Sequence, residues 1–362
     1  MHNLLKVKTI QCPATSVPIT TPLSFTINTG EIGVLLGDRN SAGSTILRAI
    51  KGLLPINRGK IILAGNHISA PDYTMRPEQR NCSIITREPS LIPHLSLNNN
   101  IQLAIHTLKR RERVARAQEV LKVVDLMGYE KYRIEELPDE EIQRATLARA
   151  LITEPTLLLW DEPFAKQPSA QRMGFIDEVE EILRARKVTT LIVTESLQPA
   201  QAIADTMGVL QRDALPQWDS PINLYYRPNN RHVASNTGNG ALIEGFVHPD
   251  NSLSSELGTF RFDGENREIQ ADKPIEFLLR PDHLLYDKSS VKFGTIIKKR
   301  FQGAVTHYTL RLEDGTIIPT ITPSQLNLTI GKPFHFKVAM ESLIIFRAGR
   351  EHSVNLGKTY SI

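Results

Sequence analysis

Residues 30–65 decide the fold, and they read GEIGVLLGDRNSAGSTILRAIKGLLPINRGKIILAG. A short apolar run from Gly33 to Leu36 meets Gly37, where a polar turn begins. Apolar residues then recur three and four positions apart, which is the spacing of one helix face. These residues are Ile46, Leu47, Ile50 and Leu53. The stretch therefore predicts a buried strand, a loop and an amphipathic helix.

Strands and helices continue to alternate as far as about residue 194. The apolar run TLLLW predicts a buried strand that ends at Asp161 and Glu162, and a second buried strand is predicted over 188–194. Helices are predicted over 114–124 with Gly128 as the stop, from about 139 onward, and over about 168–186. This alternation predicts a mostly parallel sheet with helices packed on it, which is the α/β class.

The pattern changes after about residue 235. Every second residue is apolar in 308–312 and again in 334–338, and Asp314-Gly315 is a hairpin-turn signal. We expect a small antiparallel barrel or sandwich in this part of the chain. A length of 362 residues accommodates two domains, each with its own core. We place them at 1–234 and 235–362, with a helical subdomain at about 88–153.

Bulk composition argues against several classes of protein. The apolar runs fall short of the roughly 20 residues of a membrane-spanning helix, and the N-terminus lacks an export signal, so we expect a cytoplasmic location. Cys12 and Cys82 are too few for a disulfide framework. The 43 basic residues are nearly matched by 39 acidic ones, so no nucleic-acid partner is expected despite the formal charge of +4.

Five segments, in this order and at these separations, resemble the ATP-binding subunits of bacterial ABC importers. Four belong to the first part of the chain: 30–65, EPSLIPHLSLNNNI at 88–101, QRATLARALITEPTLLLWDEPF at 143–164, and SPINLYYRP at 220–228. The fifth, LLRPDHLLY at 278–286, is similar to the TOBE-type regulatory domain of the same subfamily. Within that subfamily, the ferric-iron importers are the most similar.

The resemblance implies a P-loop NTPase-like core with a helical subdomain, followed by a small all-β, OB/TOBE-like domain. In this family two subunits, alike or different, sandwich MgATP between the phosphate loop of one and the signature helix of the other. They drive inner-membrane permease subunits from the inner face of the cell membrane. The positions implied to contact the permease are Pro89, Leu91, Pro93 and His94.

The phosphate loop departs from the family pattern at its charged residue. A working loop, GxxxxGK[ST], presents backbone N–H groups and one lysine to the phosphates. Here Gly43 stands at the lysine position, and we expect Arg39 to project from a different part of the loop. The adenine-stacking ring is missing too, because no aromatic residue precedes Phe25. The implied nucleotide-binding positions of the loop are Gly37, Asp38, Arg39, Asn40, Ser41, Ala42, Gly43, Ser44 and Thr45.

The signature helix has gained acidic residues. In relatives it begins with a Ser-Gly-Gly stretch that meets the partner's terminal phosphate. Here the corresponding positions are Leu137, Pro138, Asp139, Glu140 and Glu141, with Asp139 predicted as the N-cap. Two like charges about 4 Å apart repel by roughly 4 kcal/mol at an effective dielectric constant of about 20. We therefore expect these carboxylates to oppose a nucleotide sandwich.

The catalytic positions are only partly retained. Asp161 and Glu162 match the family's carboxylates, which bind magnesium through water and polarise the attacking water. If nucleotide binds, Ser44 and Asp161 are the magnesium positions. Glu195 replaces the family's phosphate-sensing histidine, and Arg87 replaces its magnesium-contacting glutamine. We expect Arg87 to neutralise Glu162 or Glu195 as a structural ion pair.

Three functions are compatible with these residues. The first is a non-catalytic or severely impaired ABC subunit that docks on a permease and a partner subunit, with MgATP bound weakly or not at all. The second is an active ATPase with deviant motifs that energises uptake of an ion such as ferric iron. The third is a regulator or adaptor whose C-terminal domain binds another protein or nucleic acid. We predict the first.

Overall fold

The computed structural model describes residues 3–13, 17–88, 90–262, 274–346, 353–355 and 358–361. The chain divides into two compact units, Met1–Pro221 and Ile222–Ile362. Within the described ranges, no helix has the length and hydropathy needed to cross a membrane.

Two sheets form the β-structure of the first unit. A five-stranded antiparallel sheet has the order β2-β1-β4-β5-β6, and a six-stranded sheet has the order β11-β10-β3-β9-β8-β7. From β10 to β7 all neighbouring pairs of the second sheet are parallel, as the sequence predicts. The strands are β1 Asn3–Cys12, β2 Ile19–Asn28, β3 Ile32–Leu36, β4 Arg58–Leu63, β5 Asn66–Ala70, β6 Tyr73–Thr74, β7 Cys82–Ile85, β8 Leu157–Asp161, β9 Thr189–Thr194, β10 Thr206–Val209 and β11 Trp218–Asp219.

The helices of this unit are α1 Gly43–Lys51, α2 Leu97–Leu103, α3 Arg110–Val123, α4 Asp139–Leu151, α5 Arg172–Ala185 and α6 Leu197–Ile203. Four of them, α1, α3, α4 and α5, lie in predicted segments with shifted ends, whereas α2 and α6 are not among the predicted helices. α1 ends at Lys51 because Gly52 adopts a left-handed φ of 86°, so Leu53 lies outside the helix and is exposed. α3 ends before Asp125, a residue with a left-handed φ of 55°, rather than at Gly128. The fifth begins at Arg172, after a turn closed on the carbonyl of Pro168.

The core of the first unit lies around the middle strands of the parallel sheet. All five residues of β3 and all six of β9 are buried. Such strands are apolar on both faces because helices or a second sheet cover each face. Ile46 and Ile50 of α1 pack into the same apolar cluster as Leu35 and Leu191. Burial of both β3 and α1 therefore fixes the strand–loop–helix unit predicted from residues 30–65.

The second unit is predominantly β, as predicted. Its sheets have the orders β22-β21-β15-β12-β13-β14-β23 and β16-β20-β17-β18-β19. The strands are β12 Ala241–Val247, β13 Ser252–Ser255, β14 Gly258–Phe262, β15 Pro274–Leu279, β16 Leu284–Tyr286, β17 Phe293–Gln302, β18 Val305–Arg311, β19 Ile317–Pro323, β20 Pro333–Val338, β21 Ile344–Phe346, β22 Ser353–Asn355 and β23 Thr359–Ser361. The alternating residues Tyr308, Leu310, Phe334 and Phe336 all point into one apolar core.

Two short helices join the second unit, so the units divide earlier than the expected boundary at residue 234. The helices are α7 Pro221–Tyr226 and α8 Arg231–Thr237. The reason is Arg280, which follows β15 and is 1% exposed. Its guanidinium donates to the carbonyl oxygens of Tyr225 at 2.7 Å and Ala234 at 3.0 Å. These bonds hold the helices against the β-structure that follows them.

Candidate functional site

The order of the parallel strands brings the predicted site residues to one sheet edge. Strands β3, β9, β8 and β7 are neighbours, so the loops after their carboxyl ends lie side by side. Those loops contain Gly37, Glu195, Glu162 and Arg87, and all of these except Arg87 directly follow their strands. The Gly37 N–H donates to the carbonyl of Thr194 at 3.0 Å, and the Glu162 N–H donates to that of Val193 at 2.8 Å. The edge is therefore a continuous site built from four loops.

Backbone donors of the phosphate loop are engaged within the protein. The Asn40 N–H donates to the side chain of Asp38 at 2.9 Å, and the Ser41 N–H donates to the Asp38 carbonyl at 2.9 Å. The Ala42 N–H donates to the carbonyl of Arg212 at 2.8 Å. A loop that cradles phosphate leaves such N–H groups for the anion. These three would have to release their present acceptors first.

The side chain of Val193 occupies the space beside Gly43. A Cβ atom built on Gly43 would lie 2.5 Å from Cγ1 of Val193, which is too close without a shift of that side chain. The next two residues are also engaged: the Ser44 hydroxyl donates to Oδ2 of Asp161 at 2.6 Å, and the Thr45 hydroxyl donates to the Val17 carbonyl at 2.9 Å. A lysine at position 43 therefore requires space that the present core does not provide.

Two arginines converge on one carboxylate at this edge. Arg87 Nη2 lies 2.8 Å from Glu195 Oε1 and 3.4 Å from Glu162 Oε1, so the expected ion pair is present with both acids. Arg39 Nε lies 3.1 Å from the same Glu195 oxygen. Arg39 projects from a part of the loop four positions before Gly43, and Glu195 gives its guanidinium an acceptor. Glu195 is thus the centre of an Arg–Glu–Arg cluster.

Charge sets the protonation of the cluster. Partial burial on its own lowers the pKa of Arg87, but the hydrogen bond to Glu195 and the nearby carboxylates raise it overall. For Glu162, burial raises the pKa and outweighs the hydrogen bonds that lower it. Arg87 thus gains from its carboxylate neighbours, whereas the hydrogen bonds and Arg87 only partly offset the desolvation that raises the pKa of Glu162.

The carboxylate of Glu162 has no oxygen left without a partner. Its Oε1 accepts the Glu195 backbone N–H at 2.8 Å, and its Oε2 accepts the Thr194 hydroxyl at 3.1 Å. The residue is 7% exposed and has a φ of 53°, a strained conformation for a non-glycine residue. A general base must reach the water that it activates. In this arrangement each oxygen already accepts a hydrogen bond from the protein.

A divalent cation would find few ligands at this edge. Oδ1 of Asp161 is buried and lacks a hydrogen-bond partner within the described part of the chain. That oxygen and the Ser44 hydroxyl suit Mg²⁺, which takes one or two protein oxygens and otherwise phosphates and water. Across the described residues, no three His, Cys, Asp or Glu side chains gather around a possible metal position. Magnesium would thus depend on phosphates for the rest of its coordination.

The signature helix begins with its acidic residues. The prediction that Asp139 is the N-cap is wrong: Pro138 occupies that position and makes no side-chain cap. The three acids Asp139, Glu140 and Glu141 form the first turn, where the positive end of the helix dipole stabilises them. Glu140 also pairs with Arg144 at 3.3 Å, one helical turn later. These acidic residues therefore stabilise the helix to which they belong.

The segment implied to contact the permease is built around a buried asparagine. The Asn100 side chain is 0% exposed, accepts the Ile92 N–H at 2.7 Å and donates to the Leu95 carbonyl at 3.2 Å. It thereby fixes the turn that presents Pro93 and His94, both exposed. Leu91 is buried, which makes it part of the support, and Pro89 lies outside the described residues.

A cavity of about 350 Å³ lies beside this segment, and the sequence reasoning missed it. Its lining includes Ser90, Thr146 and Arg149. The Arg149 guanidinium donates to the Ser90 carbonyl at 2.6 Å, and burial lowers the pKa of Arg149. No spacing in the sequence signals this pair, because the two residues are 59 positions apart. The cavity lies between β7 and α4.

Removal of the central cation should destabilise the first unit. We expect Arg87→Gln to lower its free energy of unfolding by about 1–2 kcal/mol, because the buried Glu162 would lose its cation and face Glu195, which would keep only the exposed Arg39. The double variant Arg87→Gln/Glu195→Gln should recover most of the loss. Urea unfolding followed by tryptophan emission measures the change, since Trp160 and Trp218 both lie in this unit.

The matched control is Arg58→Gln, at an exposed position of β4. It removes the same charge and should cost less than about 0.5 kcal/mol. A double variant as unstable as Arg87→Gln would contradict the ion-pair explanation.

Comparisons with known proteins agree with this architecture. Residues 20–165 match the family model described as ABC transporter, and residues 277–346 match the TOBE domain. The solved structure of cbiO1 from Clostridium perfringens, part of an ABC transporter complex, aligns with a TM-score of 0.58 at 18% identity. That alignment covers 63% of this chain and 92% of the other. The expected fold, a P-loop NTPase core followed by an all-β domain, is confirmed.

Two curated relatives are similar over nearly their whole length. The spermidine/putrescine import ATP-binding protein PotA of Clostridium novyi (strain NT) is 25% identical, with 88% of this chain and 94% of the relative covered. The Fe(3+) ions import ATP-binding protein FbpC of Fusobacterium nucleatum subsp. nucleatum is 26% identical, with 90% and 88% covered.

Proposed function

We propose that this chain, which belongs to the importer-type ABC transporter ATP-binding subunits with a C-terminal TOBE domain, is a docking subunit that neither binds MgATP firmly nor hydrolyses it. The observation that carries the proposal is the Arg39–Glu195–Arg87 cluster with Glu162. It is a complete charge network at the sheet edge where phosphates bind in relatives. A triphosphate would have to break it.

The residues of the site do not fit a triphosphate. The ammonium group of the loop is absent, and a Cβ atom at position 43 would clash with Val193. Three loop N–H groups already have protein acceptors. Arg39 and Arg87 supply positive charge, but both are held by Glu195, whose own charge opposes phosphate. We therefore assign no hydrolytic step to this edge.

The proposed second defect is the acidic start of the signature helix. In a nucleotide sandwich this helix end meets the partner's terminal phosphate, and Asp139, Glu140 and Glu141 would place carboxylates there. Each composite site uses one loop and one signature helix. Pairing with an intact subunit would thus leave a defect in both sites, whether the dimer is homo- or heteromeric.

Permease docking is the part of the function that we propose to be retained. Asn100 holds the turn at Ile92–Ser96 through four hydrogen bonds, and Pro93 and His94 remain exposed on it. The relatives are named for import of Fe(3+) and of spermidine or putrescine, both cationic solutes. We propose that this chain serves the import of a cation, with ferric ion as the first candidate.

Nucleotide binding tests the proposal directly. Calorimetric titration of the full chain with MgATP should give no saturation up to about 1 mM, a standard binding free energy weaker than about −4 kcal/mol. Phosphate release should equal the buffer blank. Glu162→Gln is the control, because it removes the carboxylate that an active enzyme would need. Phosphate release that disappears in Glu162→Gln would establish an active ATPase and refute the proposal.

A further inference from the structure

A second cavity of the first unit, of about 450 Å³, separates α5 from helices α3 and α4. Its lining comes from the end of α3, from Arg144 of α4 and from the second half of α5. The apolar lining residues Val123 and Ile182 are only partly buried. Protein interiors are close-packed, and voids larger than a water molecule are few in them. Apolar packing therefore does not fill this junction between α5 and the α3–α4 pair.

Two ion pairs cross the junction, and they run in opposite directions. Arg144 of α4 donates to the carboxylate of Glu178 on α5. Arg186, which directly follows α5, donates through Nη2 to Oε1 of Glu119 on α3 at 2.8 Å. Each side of the junction thus supplies one cation and one anion, and each faces its opposite charge. Reciprocal pairs of this kind fix the relative position of the helices at two points.

Arg144 connects all three helices of the junction. Besides its pair with α5, it lies 3.3 Å from Oε1 of Glu140, one turn earlier on α4, and it donates to the Val124 carbonyl after α3 at 3.5 Å. Its guanidinium carbon lies 5.8 Å from the ring centroid of Phe175 on α5. The side chain is only 15% exposed. The position of α4 relative to α5 therefore depends on this one guanidinium.

The strength of the two pairs is that of partly exposed charges. The side chains of Glu178 and Glu119 are 49% and 68% exposed. One pair of this kind shifts an equilibrium by about 1.5- to 5-fold. Salt weakens it, because the Debye length falls from about 10 Å at 0.1 M to about 3 Å at 1 M ionic strength. A junction that depends on such pairs closes and opens reversibly.

We propose that the two ion pairs of the junction form an electrostatic clasp, which holds α3 and α4 against α5 without nucleotide and releases them at high ionic strength. The turn at Ile92–Ser96 directly precedes α2, and α2 packs with α3 and α4. The clasp thus sets the orientation in which that turn faces the permease. This consequence rests on the proposed docking function, whereas the clasp itself does not.

Distance measurements by double electron–electron resonance test the clasp in the full chain. Spin labels are attached to Lys122→Cys on α3 and Gly174→Cys on α5, two exposed positions that do not line the cavity. Cys12 and Cys82 are buried and therefore protected from the labelling reagent. We expect one short distance at about 0.1 M NaCl and an additional, longer distance at about 1 M.

Charge reversal distinguishes the clasp from a general effect of salt. At about 0.1 M NaCl, Glu119→Arg and Arg186→Glu should each raise the ratio of the separated to the closed population at least about threefold, since each brings two like charges together. The double reversal Glu119→Arg/Arg186→Glu should restore the short distance. The matched control is Glu112→Arg on α3, because that carboxylate pairs with Arg116 of the same helix at 3.1 Å. It should leave the distances unchanged.

Distances that respond neither to salt nor to charge reversal would overturn the clasp, as would a double reversal that stays separated. Circular dichroism of each variant should equal that of wild type, because Glu119 and Arg186 lie outside the apolar core. If a reversal lowers the helix content, Glu119→Gln removes the same pair without adding repulsion and should still favour the separated form. The samples contain no nucleotide, so the result is independent of whether the chain hydrolyses ATP.

Discussion

Arg280→Met should lower the free energy of unfolding of the second unit by about 3 kcal/mol. The guanidinium donates to four backbone carbonyls and to the Thr237 hydroxyl, while its face lies 4.2 Å from the ring centroid of Tyr225. Methionine fills similar volume but leaves those buried acceptors without donors. Each costs about 1–3 kcal/mol, partly offset because burial already penalises the charge and lowers the pKa of Arg280.

Scanning calorimetry and hydrogen exchange are the suitable measurements for this variant. Both tryptophans lie in the first unit, so their emission does not monitor the second. We expect the transition of the second unit to shift downward by roughly 10 °C and exchange protection to fall first in α7 and α8. Arg311→Met, at an exposed position of β18, is the control and should leave both unchanged. Equal effects of the two substitutions would show that Arg280 does not connect the helices to the sheet.

The same arginine shows where sequence reasoning ends. Hydrophobic periodicity predicts β3, α1, β8 and β9 because each buries residues at its own characteristic spacing. The unit to which α7 and α8 belong depends instead on hydrogen bonds over a separation of 46 residues, between Arg280 and Ala234. Periodicity contains no information about such pairs. The units consequently divide at Pro221 rather than at 234.

The candidate site, too, could be predicted from the sequence only in part. Its location follows from the sequence, because carboxyl ends of adjacent parallel strands share one edge. The pairing of Arg87 with Glu162 and Glu195 also follows, from charge alone. The direction of the Arg39 side chain does not follow from the sequence, because an exposed loop side chain turns toward whichever acceptor the tertiary structure offers. Nor does the packing of Val193 against Gly43, which depends on side-chain geometry between two elements far apart in sequence.

Phosphate binding should be recoverable by substitution, and this is the largest effect that we predict. The triple variant Gly43→Lys/Val193→Ala/Glu195→His should bind MgATP at least about 100-fold more tightly than wild type. Lysine restores an ammonium group, alanine gives its Cβ the space that Val193 now fills, and histidine removes the carboxylate. An ammonium 4 Å from a phosphate charge contributes about 4 kcal/mol at an effective dielectric constant near 20, an upper limit of roughly a thousandfold.

The three changes should act together. Gly43→Lys alone has to displace Val193, and Glu195→His alone releases Arg39 and Arg87 without adding the ammonium, so each single change should gain less than about tenfold. Asn66→Lys, which adds a lysine at an exposed position of β5 away from the site, is the control and should gain nothing. Hydrolysis should remain absent even in the triple variant, because Glu162 keeps its present partners and the signature helix keeps its acids. Wild type binding MgATP in the micromolar range, or a triple variant no better than Asn66→Lys, would show that charge at this edge does not decide nucleotide affinity.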